Sequence, residues 1–218
     1  MPEHRTVFVT GSTGFMGRAL IAQLISRGHR VRALVRAGSQ KKAPAGCEIV
    51  VGDPLNASTF IDRVAGCDTF VQLLGVTHPN PSKVAEFRAI DLGSALASLD
   101  AATKSGVAHF VYVSVAQPAP VMKFYIAVRA EVEAAIRNSG INAIIIRPWY
   151  VLGPGRRWPL LLVPMYWLFG KIPATRASAN RLGLVTREQM IAALVNAVES
   201  PAAGVKIVEV PEIRSARL

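Results

Sequence analysis

The sequence predicts an α/β protein built on a doubly wound parallel sheet. Three observations carry this expectation. Short β-branched apolar runs alternate with longer stretches of helical periodicity along most of the 218 residues. Most of the runs are apolar at nearly every position, as strands buried on both faces are. The first run passes into the first helix through Gly11, Gly14 and Gly17, spaced three apart. Strands and helices alternating at this spacing require right-handed crossovers and a parallel sheet.

The elements follow in order. "RTVFVT" (Arg5 to Thr10) is the first strand, and the next helix sets Met16, Ala19, Leu20, Leu24 and Ile25 on one face before Gly28 stops it. "HRVRALVR" (His29 to Arg36) alternates charged and apolar residues as a second strand, and "CEIVVGD" (Cys47 to Asp53) is a third. "ASTFIDRVAGC" is a short helix ending near Gly66, and "DTFVQLLG" (Asp68 to Gly75) is a fourth strand. A long helical pattern runs from Lys83 to Ser105, with Phe87, Ile90, Ala97 and Ala101 among its apolar positions. "HFVYVSV" (His109 to Val115) is a fifth strand, a helix then closes at Gly140, and "INAIIIRP" is a sixth strand. Thr186 and Gln189 have capping-box spacing at the head of a last amphipathic helix, and "GVKIVEV" (Gly204 to Val210) suits a late strand. The expected organisation is a dinucleotide-binding core over 1–155, with a small C-terminal lobe over 156–218 packed on the same domain.

Composition narrows the function classes. At 51% hydrophobic and 18% charged, the chain buries a real core. Cys47 and Cys67 make neither a disulfide framework nor a metal site, and are read as buried free thiols of a reducing compartment. The start, "MPEHRTVFVT", has no apolar h-region, so a cytoplasmic protein is expected, and the sequon at Asn56 is read as the polar start of a helix. The net charge of +11 is scattered along the chain. It describes a solvated basic surface, or one that attracts an anionic phosphate ligand or lipid; no nucleic-acid partner is expected, since no reading motif accompanies it. His4, His29, His78 and His109 lack metal spacing, so no metal is expected, and no Gly-x-Ser-x-Gly elbow supports serine hydrolysis.

The three glycines have a mechanical meaning after a strand and before a helix. Gly11 permits the tight turn, Gly14 leaves room for a pyrophosphate to reach the helix N-terminus, and Gly17 lets the helix pack close to the strand. The helix dipole adds to the attraction for phosphate.

"TGSTGFMG" resembles the first-turn motif of the extended and atypical short-chain dehydrogenase/reductase superfamily. The resemblance continues through Gly52 and Asp53, "YVSV" with Ser114, Tyr125 and Arg129 where that superfamily has Tyr-x-x-x-Lys, and "RPWYVLGPG" (Arg147 to Gly155). It is strongest with the small NAD(P)H-binding proteins of the atypical group, similar to NmrA-like proteins and to the reductase-like accessory subunit of respiratory complex I. It implies a Rossmann fold with a dinucleotide held by Gly11, Ser12, Thr13, Gly14, Phe15, Met16 and Gly17. Asp53 and Pro54 would lie at the adenine, Leu74 and Gly75 at the end of the fourth strand, and Pro148 and Tyr150 near the nicotinamide.

The end of the second strand selects between cofactors. An NAD site places a carboxylate there for the ribose 2′-hydroxyl, whereas this chain has Arg36, which suits a 2′-phosphate. NADP(H) is therefore expected in preference to NAD(H), with NAD(H) still open. Lys41 and Lys42 would add field, and Arg18 is a second candidate. Arg36 is otherwise one more surface arginine, and Asp53 otherwise a turn residue before Pro54.

The resemblance further implies hydride transfer between nicotinamide and a carbon bearing oxygen, with Ser114, Tyr125 and Arg129 as the polar set. Tyr125 and Arg129 sit at i and i+4, so they share a helix face. Arginine stabilises a tyrosinate but does not deprotonate, so it relays no proton. Tyr125 is otherwise a packing tyrosine, and Tyr150 is a rival acid. The expected function is an NADP(H)-binding oxidoreductase or epimerase-like enzyme with a small, apolar carbonyl or hydroxyl substrate. The alternative is a non-catalytic NAD(P)H sensor or assembly factor. "WPLLLVPMYWLFG" (Trp158 to Gly170) is shorter than the roughly 20 residues of a membrane span and is broken by Pro159 and Pro164. It is read as an apolar lid, a peripheral membrane contact flanked by Arg156, Arg157 and Lys171, or a helix packed on the domain or a second subunit.

Overall fold

The computed structural model describes residues 4–76, 80–155, 177–178 and 180–218. Seven parallel strands form its sheet: β1 (Thr6–Thr10), β2 (Arg30–Val35), β3 (Glu48–Val51), β4 (Thr69–Gln72), β5 (His109–Val113), β6 (Asn142–Ile146) and, late in the chain, β9 (Val205–Val208). Their order is β3-β2-β1-β4-β5-β6-β9, so the winding reverses between β1 and β4. A separate parallel pair joins β7 (Tyr150–Leu152) to β8 (Leu184–Thr186).

Both faces of the sheet are covered because successive strand residues point to opposite sides. Val7 and Val9 of β1 enter a core with Leu20, Ile21 and Leu24 of α1 (Phe15–Ser26). Met190, Leu194, Val195 and Val198 of α5 (Arg187–Glu199) join them, as do Val210 and Ile213 of α6 (Val210–Ser215). Phe8, between those valines, enters the opposite core. There the register pairs it with Phe70 of β4, and Phe70 with Phe110 of β5. The three rings stack in a row, with centroids 5.0 and 5.4 Å apart. This second core is closed by α3 (Gly93–Lys104) and α4 (Lys123–Ser139).

The capping box at the head of α5 forms as the spacing predicts. Thr186 Oγ1 accepts the Gln189 N–H at 3.2 Å, and Gln189 Oε1 accepts the Thr186 N–H at 2.9 Å. Two helical expectations are modified. The stretch after Asn56 forms two 3₁₀ turns, Ala57–Thr59 and Ile61–Arg63, instead of one helix. Asn56 Oδ1 accepts the Ser58 N–H and Thr59 Oγ1 donates back to the Asn56 carbonyl, so short polar side chains compete with the helical ladder. The long pattern from Lys83 is α2 (Val84–Glu86), a π-helical stretch (Phe87–Leu92) and α3 in succession. The wider turn brings Phe87, Asp91 and Leu92 to the buried side together. Cys67 is buried as expected, whereas Cys47 is only half-buried.

His109 opens β5 fully buried, and neither ring nitrogen has a hydrogen-bond partner. Burial, aided by the charge of Arg5, pulls its pKa down to about 4. The folded pKa lies below the unfolded one, so between them the unfolded chain binds more protons. Stability is full above pH ~6.5 and falls as the pH drops through that value towards about 4. The loss reaches about 3 kcal/mol by linkage. Urea melts of the wild type and His109→Leu between pH 7 and 5 check this: the fall should be largely absent in the variant.

Candidate functional site

The site lies at the carboxyl ends of the parallel strands, where the order reverses between β1 and β4. Loops leave in opposite directions there and open a crevice. It is a cleft of about 660 Å³. Its wall includes every residue from Gly11 to Gly17, with Arg36 and Pro54 to one side, and Leu74, Gly75, Ser114, Tyr125, Arg129, Pro148 and Tyr150. The predicted positions are therefore gathered into one cleft, with Asp53 not among the lining residues. Asp53 Oδ1 instead accepts the Leu55 N–H at 3.0 Å, as a turn residue does. Lys41 and Lys42 form an exposed 3₁₀ turn, and neither they nor Arg18 line the cleft. The apolar stretch 158–170 lies outside the described residues.

The glycine turn is built as a cradle. Gly11 has φ +66°, and a Cβ there would come within 2.9 Å of the Leu73 and Leu74 backbone. A Cβ on Gly17 would meet Ser12 Cα at 2.8 Å and overlap the Gly11 carbonyl. These two glycines are demanded by the fold. Gly14 differs: its φ of −81° suits any residue, and a Cβ would meet only the Gly11 oxygen, at 3.1 Å, beside open space. Gly14 caps α1 without a side-chain hydrogen bond, and no acidic residue occupies the first turn. Ser12 Oγ donates to the Leu34 carbonyl at 2.6 Å and ties the cradle to β2. The bare helix end and open space at Gly14 fit a dinucleotide pyrophosphate.

At the other end lies Tyr125, half-buried, its ring 5.0 Å from that of Phe87. The Arg129 guanidinium is 5.0 Å from the Tyr125 ring centroid. Arg129 is buried and heavily engaged: Nη1 donates to the Val113 carbonyl at 2.8 Å and to the Tyr112 hydroxyl at 3.2 Å, and Nη2 pairs with Asp91. Burial opposes its charge, but Tyr112, Tyr125 and Asp91 outweigh that and hold its pKa above the ordinary value. Burial lifts the Asp91 carboxyl, with Arg129 and the Val76 N–H working against the rise. Burial also pushes the Tyr112 phenol up to about 12, so it stays protonated.

The Ser114 hydroxyl is engaged within the protein. Its Oγ donates to Glu133 Oε1 at 2.6 Å. The same oxygen accepts from Gln117 Nε2 and Arg147 Nε, both at 2.9 Å, and Oε2 accepts from Arg137 and Arg147. Burial favours protonating Glu133, yet the bonds from Arg147 and Ser114 overcome it and keep the carboxyl below its usual pKa.

Asp91, Tyr112 and Glu133 thus complete a layer beneath the cleft that sequence reasoning missed. The signal was present for two of them. Asp91 sits on an otherwise buried helix face, four residues after Phe87, and Glu133 continues the i, i+4 row of Tyr125 and Arg129. A buried carboxylate needs a cationic partner.

The NAD(P)H-binding family profile matches residues 11–157. The chain belongs to the NAD(P)H-binding family. Among relatives of this family member, the ceramide reductase of Caulobacter vibrioides (strain NA1000 / CB15N) is 29% identical over 211 residues, covering 95% of this chain and 65% of that protein. The 4-hydroxy-2-methyl-3-oxo-4-farnesyl-3,4-dihydroquinoline-1-oxide ketoreductase of Stigmatella aurantiaca is 29% identical over 168 residues, covering 67% of this chain and 50% of that protein. The chain therefore spans less than two thirds of the length of these relatives. A short-chain dehydrogenase/reductase superfamily protein from Agrobacterium tumefaciens with bound NAD superposes with a TM-score of 0.68 at 19% identity, over 94% of this chain and 77% of that one. The Bordetella bronchiseptica enzyme WbmH in complex with NAD⁺ gives 0.69 at 19% identity, over 96% and 79%. These structures share the fold. Among the described residues, no helix is long and apolar enough to cross a membrane, and no cluster of His, Cys, Asp and Glu is arranged to hold a metal ion.

Proposed function

We propose that this NAD(P)H-binding chain is an NADP(H)-dependent oxidoreductase for an apolar carbonyl or hydroxyl compound, with Tyr125 as its proton donor and acceptor. One observation carries the reading: a single continuous cleft has the glycine cradle with Arg36 on one side and Tyr125 over a buried guanidinium on the other. Arg36 gives the cofactor preference, as a cation where a 2′-phosphate would lie. A bound nicotinamide supplies or takes the hydride. The chain's own residues do the rest. The Tyr125 hydroxyl gives its proton to the carbonyl oxygen in reduction and takes it back in oxidation. Arg129 stabilises the tyrosinate through the ring face, without exchanging a proton. Ile90, Val115, Trp149 and Val151 supply apolar wall, which keeps water from the reacting atoms. Relatives named for a ceramide and for a farnesylated quinoline support an apolar substrate.

The Ser114–Glu133 bond favours a second reading, a cofactor-binding sensor without turnover. A hydroxyl whose proton is given to Glu133 has none to orient a substrate carbonyl. The test is NADPH oxidation with a panel of long-chain and cyclic ketones. Turnover on any of them supports the enzyme, and saturable NADPH binding with no turnover across the panel supports the sensor.

A further inference from the structure

We propose that Asp91 is a positioning residue that pins the Arg129 guanidinium beneath the Tyr125 ring, where the cation acts on the tyrosine and not on the cofactor. The inference rests on the reading of Tyr125 as the site's acid. It explains why the Lys of the superfamily pattern is replaced here.

The guanidinium lies between two aromatic rings, 5.0 Å from the centroid of Tyr125 and 5.6 Å from that of Tyr112. It is held there from three directions: by the Val113 carbonyl and the Tyr112 hydroxyl from β5, and by Asp91 from the π-helical stretch. Asp91 is itself fixed. It is fully buried, and its second oxygen accepts the Val76 N–H at 3.1 Å. The wide π turn brings this carboxylate to the buried side, beneath the cleft. Gly75 records how closely the pair is packed: a Cβ there would stand 2.5 Å from Arg129 Nη2 and 2.8 Å from Asp91 Oδ1. A planar fork meets carboxylate, phenol and carbonyl at once while keeping a flat face to the rings. A lysine has one nitrogen, and Asp91 would draw it away from Tyr125. Arg129→Lys, which restores the superfamily's Tyr-x-x-x-Lys, should therefore lower turnover.

The test uses the full chain with ¹³C-labelled tyrosine, the Tyr125 ring signal being assigned by its loss in Tyr125→Phe. Asp91→Asn and Arg129→Lys should each move that signal, leave the NADPH Kd within about twofold, and lower kcat by about tenfold or more. If Asp91→Asn does not fold, Gly75→Ala displaces the pair with both charges retained, and the same ring signal should move. An unmoved Tyr125 signal in the folded variant, or NADPH affinity falling in step with kcat, overturns the proposal. If Tyr125→Phe keeps full turnover, the functional reading fails, while the ring signal still decides whether Asp91 holds Arg129 in place.

Discussion

Arg36→Asp is expected to weaken NADPH binding by about a hundredfold or more while NADH binding stays near its original strength. Arg36 follows the end of β2 in the wall of the cleft and is exposed. A guanidinium on a phosphate makes charge-assisted, forked hydrogen bonds, worth roughly 1.5–3 kcal/mol. Aspartate removes these and sets a carboxylate against the phosphate. About 2.7 kcal/mol corresponds to a hundredfold change in Kd. NADH has a hydroxyl in place of the phosphate, and a carboxylate accepts its hydrogen bond. The group is exposed, so added salt should shrink the NADPH effect. Fluorescence titrations with both cofactors at two salt concentrations check this. Equal losses for the two would remove Arg36 from the 2′-phosphate.

Tyr125→Phe is expected to cost about 10²–10⁴ in kcat with NADPH affinity unchanged. The substitution deletes only the hydroxyl. The ring contacts with Phe87 and Arg129 survive, so the half-buried site keeps its shape. The loss therefore reports proton transfer and not packing. A small loss would shift the acid to Tyr150, which also lines the cleft, its phenol pushed up by burial.

Much of the fold was legible in the residues. The central strands β1, β4, β5 and β6 are apolar on both faces, and Gly28 and the Thr186–Gln189 box mark helix ends by local chemistry alone. The glycine turn was legible for the same reason: the need for φ +66° at Gly11 and for close packing at Gly17 is a property of the turn itself. What escaped was set by tertiary partners. The π-helical stretch has no sequence period of its own; it accompanies Asp91 facing a guanidinium 38 positions away. Ser114 entered the polar set by resemblance to the superfamily, which says nothing of its partners inside this chain. Its hydroxyl is held by Glu133, which is itself held by Arg147 from the end of β6. Asp53 lies at the expected turn, with one carboxylate oxygen engaged by that turn.

The glycine cradle of residues 11 to 17 is expected to grip the pyrophosphate of a nicotinamide dinucleotide. Gly14→Val is the test, because its φ of −81° suits a side chain and the added Cβ would meet only the Gly11 carbonyl oxygen, at 3.1 Å, on the wall of the cleft. The measurement is calorimetric titration of NADPH into the wild type and into Gly14→Val, with thermal melts to show that both are folded. Saturable heat is expected with the wild type and none with the variant, which should still melt cooperatively. No heat with folded wild type, or equal affinity in Gly14→Val, would contradict it.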